Sequence, residues 1–304
     1  MNPTRNPAHT PLPAILLISG SVLCFTLLDT TIKHLTQFMP VALLVWARWS
    51  IQVVATLIWL GPSLGRGLVR TSRLRLHLVR GVILLSSSFC FVTALRYLPL
   101  ADATAINYST PILVAVMAAF ILHEKLTRPR IGFVLAGFAG MLLIARPGSE
   151  VLTLAALLAM ASAGFYATFQ ILTRMLAGED PRVLLFFPAL VGMTLMTLVL
   201  PWIELPNHVA WQHVALLVGG SLMGTLGHLL FIFAFRKAPA SGLAPFTYMQ
   251  LVWATLLGWI VFGDFPGGFT LAGMGVIATS GLYLAVYEQR RASAPSRQRR
   301  TAID

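Results

Sequence analysis

Long apolar runs constrain this 304-residue chain more than any other feature of its sequence. Breakers and charged residues divide the runs into ten candidate spans, most of them near the ~20 residues that an α-helix needs to cross a bilayer. Only 11% of the residues are charged, against about 25% in soluble domains. The sequence therefore predicts an all-α polytopic membrane protein and not a β-barrel, whose strands alternate apolar and polar residues. The spans cover 12–35, 41–60, 77–97, 102–122, 131–146, 151–176, 183–203, 211–235, 242–262 and 268–287, the fifth being marginal in length.

The distribution of basic residues predicts the orientation of these spans. If both termini are cytoplasmic, 18 of the 22 Lys and Arg residues fall on the cytoplasmic side, as the positive-inside rule requires. The net charge of +12 then reflects topology, and nucleic acid is not expected as a partner. We expect a multi-pass protein of a bacterial inner membrane, with a cytoplasmic segment at 1–11 and a basic cytoplasmic tail at 288–304.

The two halves of the chain repeat the same marks in the same order. The phrase ALRYLPLADATAINYSTP at 94–111 aligns with AFRKAPASGLAPFTYMQL at 234–251. Because each half, 12–146 and 151–287, contains five spans, the second copy enters the membrane from the opposite side. Inverted repeats are a common plan for secondary transporters; duplication for assembly alone is the alternative. Matches at offsets of 140 or 141 include Arg96 with Arg236, Pro99 with Pro239, Tyr108 with Tyr248, Glu124 with Asp264, and Lys33 with Arg174.

Several segments resemble the EamA family of the drug/metabolite transporter superfamily. They are LLDTTIKHL, VWARWS, RYLPLADATAINYSTPIL, HEKLT, GFAGMLLIARPG and APFTYMQLVWATLLGWIVFGD. The resemblance covers about 12–288, in two tandem EamA-like repeats. It implies ten transmembrane helices arranged as a five-plus-five inverted repeat around a central cavity. It also implies transport of small organic solutes, such as amino acids, nucleotide-sugar-like compounds, S-adenosylmethionine, riboflavin, drugs or opine-type metallophores.

Charged residues inside the first two spans are candidates for solute binding, because a charge facing lipid costs about 2.5–3.5 kcal/mol. Asp29 could titrate or bind an ammonium group, and Lys33, one turn later, could bind a carboxylate; a local ion pair between them is the alternative. Arg48 lies between Trp46 and Trp49 in the sequence, and this trio could hold an anionic group. The alternative pairs Arg48 with Asp29 or with a carbonyl at a helix end, and places the tryptophans in the outer interfacial belt.

Spans four, six, eight and nine supply the remaining candidates. By resemblance, Asn107, Tyr108, Tyr248 and Gln250 line the central cavity, with Trp253 nearby; hydrogen bonding between helices is the alternative. Pro111 is expected to bend span four. Tyr166 and Gln170 lie opposite Asp29 by repeat symmetry, and His228 could carry a proton or be an ordinary hydrogen-bonded residue.

We therefore expect a secondary transporter that moves a small polar or zwitterionic metabolite, amino-acid-like or opine-type, by alternating access, with export favoured. Uptake of a cofactor-like solute such as S-adenosylmethionine or riboflavin is the alternative, and a non-transporting assembly subunit is the rival from another class. Nucleophile-elbow, P-loop, HExxH and CxxC motifs are absent from the sequence, so we expect no enzyme activity, cofactor or metal site. The expected partners are the metabolite, the lipid bilayer and protons as a coupling ion, in a monomer or homodimer. Two small-residue patterns, Gly220–Gly224 and Gly132–Ala136–Gly140, predict close helix packing.

Overall fold

The protein is built from α-helices, as the apolar runs predict. The computed structural model describes residues 11–64, 71–121, 128–145, 154–176, 178–206, 208–238, 243 and 246–293. Glu124 and most of the predicted terminal segments lie outside these ranges. The helices are α1 (Leu12–Leu35), α2 (Val41–Leu64), α3 (Leu74–Tyr97), α4 (Leu100–Asn107), α5 (Thr110–Ile121), α6 (Arg128–Ala145), α7 (Leu154–Met175), α8 (Pro181–Val199), α9 (Trp211–Lys237), α10 (Met249–Phe262) and α11 (Gly268–Ser293).

Within the described ranges, eight helical segments are long and apolar enough to cross a bilayer, and two shorter apolar helices, Ile131–Ala145 and Met249–Phe262, complete the ten predicted positions. The chain is an all-α polytopic membrane protein. Two details differ from the sequence expectation. The fourth span consists of two helices, α4 and α5, because the chain breaks before Pro111. Helix α11 continues to Ser293, beyond the predicted end of the last span at 287.

The packing of the helices has the two-fold symmetry that an inverted repeat requires. Helix α1 packs along α9, and its repeat counterpart α7 packs along α3. Likewise α3 contacts α8 as α9 contacts α2, while α2–α8, α6–α11 and α4–α10 are pairs of counterparts. Exchanging the halves therefore converts each of these contacts into another of them or into itself. With five spans in each half, the two-fold axis lies in the membrane plane.

Hydrogen bonds at the helix crossings follow the same symmetry. Where α3 crosses α7, the hydroxyls of Ser87 and Ser162 lie 3.1 Å apart and each donates to the other residue's carbonyl, at 3.0 and 2.9 Å. Where α1 crosses α9, Ser21 donates to the Gly227 carbonyl at 2.8 Å. Ser21 is the repeat counterpart of Ser162, and Gly227 that of Ser87. These buried bonds fix the height at which the paired helices meet.

Glycines permit the closest of these helix approaches. On α9, a Cβ added at Gly220 would lie 2.8 Å from Thr31 of α1, and one at Gly224 would lie 2.7 Å from Leu28. The predicted GxxxG contact is therefore present. On α6, the predicted spacing is in close contact at Gly140, where a Cβ would lie 3.0 Å from the Gly273 carbonyl oxygen of α11. Gly132, the first residue of the same spacing, takes no part, because a Cβ there meets no atom within 4 Å.

Candidate substrate site at the breaks in the fourth and ninth spans

Seven of the residues that the sequence nominated form one connected group, which we call the central group. Arg48 of α2 interacts electrostatically with Asp29 of α1, Tyr166 of α7 and His228 of α9. The phenol of Tyr108 interacts with Asp29 and Tyr166 in the same way. The group combines one carboxyl, one guanidinium, one imidazole, three phenols and one amide. Its members are Asp29, Arg48, Tyr108, Tyr166, His228, Tyr248 and Gln250.

The break in the fourth span lies at the centre of this group. Pro111 has no N–H to donate, so the helix cannot continue past Asn107 with its normal bonds. Two hydroxyls bind carbonyls at the end of α4 instead: Ser109 donates to Ile106 at 2.7 Å and Thr110 donates to Asn107 at 2.6 Å. The backbone is thereby stabilised without a continuous helix, and side chains at the break are released from the regular helical pattern.

Tyr108 reaches the corresponding position in the second repeat, where Tyr248 forms a turn between helical residues 246–247 and α10. The Tyr108 hydroxyl donates towards two acceptors, the Thr247 carbonyl at 2.7 Å and Gln250 Oε1 at 2.9 Å. Its ring lies 5.5 Å from that of Tyr248, the residue that precedes α10. The two tyrosines are repeat counterparts, so the interrupted helices of both halves meet at one place. Polar atoms and aromatic faces that a regular helix would direct elsewhere are concentrated there.

The two charged residues of the central group have few direct partners among the described residues. Arg48 donates to Ser88 Oγ at 3.2 Å and lies over the Trp49 ring at 5.2 Å. Asp29 is 9% exposed. Within the described residues, Asp29 and Arg48 form no ion pair at 4.0 Å or less with each other or with a third residue. An ammonium group near Asp29 and a carboxylate near Arg48 would satisfy both charges at once.

Lys33 lies away from the central group. Its ammonium donates to the Leu98 carbonyl at 2.6 Å and to the Leu95 carbonyl at 3.4 Å, at the end of α3. Its ion-pair partner is Asp264, at 4.0 Å, and not Asp29. Lys33 therefore connects the end of α1 to α3 and to the segment after α10.

The other nominated residues occupy different positions. Trp46 donates to Thr197 of α8 at 2.9 Å, on the side of α2 that faces away from the central group. Trp253 and Asn107 each have a buried polar atom, Nε1 and Oδ1, without a hydrogen-bond partner among the described residues. Gln170 follows Tyr166 by one turn on α7 and is partly buried. Asn107, Gln170 and Trp253 lie on the elements that carry the central group.

Arg80 was not nominated from the sequence. It is 3% exposed, donates to Thr173 Oγ1 at 2.8 Å and to the Leu184 carbonyl at 2.9 Å, and lies 4.4 Å from the Phe169 ring centroid. Tyr166 interacts electrostatically with both Arg48 and Arg80. In the sequence, Arg80 counts among the basic residues that indicate topology, although its position inside the predicted span 77–97 also marks it as a candidate for burial.

Within the described ranges, the structure brings together no group of three or more His, Cys, Asp or Glu side chains suited to holding a metal ion. The central group contains one carboxyl and one imidazole, and its other members are phenols, a guanidinium and an amide. Such a set binds polar organic groups through hydrogen bonds and charge.

Comparisons with known proteins place this arrangement in a family. The model of the EamA-like transporter family matches residues 12–146 and again residues 152–287. A crystal structure with 22% identity shares the fold, with a TM-score of 0.64 over 92% of this chain and 99% of the other. The match of one family model to each half also accounts for the symmetric helix packing.

Curated relatives transport different solutes. A riboflavin transporter of Vibrio cholerae is 26% identical over 93% of this chain and 96% of its own length. An S-adenosylmethionine uptake transporter of Rickettsia conorii is 26% identical over 75% of this chain and 77% of its own. A pseudopaline exporter of Pseudomonas aeruginosa is 25% identical over 85% of this chain and 91% of its own. The chain is a membrane transporter of small solutes and belongs to the EamA-like transporter family.

Proposed function

We propose that the protein is an inner-membrane carrier of a small zwitterionic metabolite with an amino-acid-like group, and that it works by alternating access. One observation carries the proposal: Asp29 and Arg48 lie in one group, yet neither forms an ion pair within the described residues. The attraction between two charges held beyond ion-pair distance only partly offsets the cost of burying them inside a membrane protein, and a ligand or water that reaches them lowers that cost. A zwitterion supplies both missing charges in one molecule.

The same observation argues against a non-transporting assembly subunit. Such a subunit is expected to seal its interior by pairing Asp29, Arg48 and Asn107 with one another. Instead, Arg48 donates to Ser88, and Asn107 Oδ1 has no partner among the described residues. Unsatisfied polar atoms near a helix break support a site that binds a polar ligand.

The solute class follows from the charges and the aromatic rings. S-adenosylmethionine, named for the Rickettsia relative, combines an amino-acid group with a planar heterocycle. The tyrosines of the central group suit such a ring, since aromatic faces stack with offset geometry. Amino-acid-like solutes satisfy Asp29 and Arg48 without requiring the rings. Both therefore serve as probes in flux measurements.

Replacing Arg48 tests the proposal directly. We expect Arg48→Gln to lower the flux of S-adenosylmethionine or of an amino-acid mixture into proteoliposomes about 10- to 150-fold, because a charge-assisted hydrogen bond contributes about 1.5–3 kcal/mol. Arg96→Gln is the matched control, since Arg96 is exposed at the end of α3. Equal flux through the two variants and the unsubstituted protein would remove Arg48 from the mechanism. An unsubstituted protein that moves no zwitterion above empty vesicles would overturn the proposed function.

Export in exchange for protons is the direction we propose. The Asp29 carboxyl can hold either the solute's ammonium or a proton, but not both, so occupation by one displaces the other. We expect an inward proton gradient to drive outward movement of the solute through the unsubstituted protein. Asp29→Asn is expected to leave solute movement independent of the gradient, measured as flux with and without a protonophore. Gradient-driven flux that persists in Asp29→Asn would assign the coupling to another group.

A further inference from the structure

The Lys33 side chain is surrounded by partners from several parts of the chain. Its ammonium lies 2.6 Å from the Leu98 carbonyl and 4.0 Å from Asp264 Oδ2, and 5.1 Å from the Phe262 ring centroid. The side chain is 11% exposed. Asp102, in the first turn of α4, adds a further electrostatic attraction. One ammonium thus holds the end of α1 against the α3–α4 connection of the first repeat and against the end of α10 in the second.

The chain after α10 is shaped so that Asp264 is placed beside Lys33. Gly263 has φ of 74°, a left-handed conformation that favours glycine. Its N–H donates to the Trp259 carbonyl at 2.9 Å, and the N–H of Asp264 donates to the Gly258 carbonyl at 3.2 Å. The first bond is that of a glycine-terminated helix end, and the second holds Asp264 against the last turn of α10. The turn fixes the backbone of Asp264 at the end of α10.

Beside this cluster the two repeats are in direct contact. A Cβ built on Gly258 of α10 would lie 3.7 Å from the Leu100 Cβ and 4.0 Å from the Ala101 nitrogen, both at the start of α4. Leu98, Leu100 and Ala101 are buried. Lys33 therefore lies where the first residues of α4 meet the last turn of α10. The charge asymmetry predicts that this end of the bundle faces outside the cell.

We propose that Lys33 is a latch that keeps the outer end of the bundle closed. Separating α4 from α10 at this end removes Lys33 from the Leu98 carbonyl or from Asp264. Water that enters the opening hydrates the released ammonium and both acceptors, so the contact can break and re-form at modest cost. The role of the latch in transport rests on the proposed alternating access. Its effect on closure can be measured without any solute.

Accessibility of a cysteine beneath the latch provides the test. Thr104 lies one turn from Tyr108 on α4 and is 2% exposed, so Thr104→Cys in a chain with Cys24 and Cys90 replaced by alanine is a buried reporter. We measure its labelling by a membrane-impermeant quaternary-ammonium methanethiosulfonate added outside right-side-out vesicles. Lys33→Met is expected to raise the labelling rate about 10- to 150-fold, the range for losing a charge-assisted hydrogen bond. Asp264→Asn is expected to raise it about 1.5- to 5-fold, because Asp264 is 41% exposed.

Matched controls separate the latch from general loosening. Arg96→Gln removes an exposed cation from the same end of the bundle and is expected to leave labelling unchanged. The double variant of Lys33→Met and Asp264→Asn is expected to react no faster than Lys33→Met alone, since both changes remove the same contact. The latch is overturned if neither Asp264→Asn nor Lys33→Met changes the labelling rate. It is also overturned if Arg96→Gln raises the labelling rate as much as Lys33→Met does. If Lys33→Met does not accumulate, the Asp264→Asn rate alone decides. If Lys33→Met raises the labelling rate as expected but the unsubstituted protein moves no zwitterion, the latch is supported and the proposed function is overturned.

Discussion

A disulfide between α4 and α10 is expected to stop solute flux completely and reversibly. In a chain with both native cysteines replaced by alanine, Leu100→Cys and Gly258→Cys place two Cβ atoms about 3.7 Å apart. This separation lies within the range of about 3.5–4.5 Å found between Cβ atoms in disulfides, so we expect the bond to form. A Cβ at Gly258 meets its neighbours only at ordinary contact distances, so the substitution itself is tolerated. Flux into proteoliposomes should fall to that of empty vesicles on oxidation and recover on reduction.

The two single-cysteine variants, treated with the same oxidant, control for oxidative damage and for the substitutions. They should keep their flux under both conditions. Formation of the bond is verified by mass spectrometry of the linking peptides. If the fully cross-linked protein transports as fast as the same protein with its disulfide reduced, then α4 and α10 need not separate at this end. Alternating access through an opening at this end would then be excluded.

A large loss of stability is expected from Gly273→Ala on α11. The added Cβ would lie 2.6 Å from the Gly140 carbonyl oxygen and 2.5 Å from Ile144 Cγ1, both on α6. A backbone oxygen cannot rotate away as a side chain can, so the two helices must move apart. Overpacking of this kind costs about 1–3 kcal/mol, and more where the neighbour cannot give. The apparent melting temperature in detergent should therefore fall by several degrees.

Gly275→Ala is the matched control, because it adds the same methyl group two residues further along α11. Nothing lies within 4 Å of a Cβ at that position, and alanine is the better helix former. Its melting temperature should equal or exceed that of the unsubstituted protein. Equal melting temperatures for the two alanine variants would mean that α6 and α11 are not in close contact in the membrane protein.

The helical fold could be predicted from the sequence because the length of an apolar run depends only on consecutive residues. Each predicted span corresponds to a helical segment, and even the break in the fourth span follows from Pro111, which cannot donate a backbone bond. Tyr108 and Tyr248 could be paired in advance because the repeat places them at equivalent positions. The 140-residue spacing between the repeats could not predict the hydrogen bond from Tyr108 to the Thr247 carbonyl. That bond depends on how the two helix ends meet.

Partners distant in sequence explain the rest. Lys33 follows Asp29 by one turn, which suggests a local pair, yet its ion-pair partner Asp264 is 231 residues away. Trp46 illustrates a different point. Residues 46 and 48 are about 200° apart around a helix with 3.6 residues per turn, so their side chains point in nearly opposite directions although the residues are close in sequence. Helical geometry alone could have separated Trp46 from Arg48 before the structure was known.

Arg80 lies between these cases. A basic residue near a predicted span end is usually a sign of orientation. Whether it is also buried depends on α7 and α8, which supply Thr173 and the Leu184 carbonyl from about 90 to 100 residues further along the chain. The sequence showed that Arg80 lies within the predicted span 77–97 but could not reveal which residues cover it.

The hydrogen bonds at the helix crossings help to explain why the two repeats share few identical residues. Ser162 needs a carbonyl to donate to, and so does Ser21, but any amino acid can provide one. Position 87 is serine while its counterpart 227 is glycine, and both accept the bond. After a gene doubles, selection on the donor can therefore continue while the acceptor position mutates freely within the limits of size. In such a protein the contacts between helices preserve the evidence of duplication better than the amino-acid identities do.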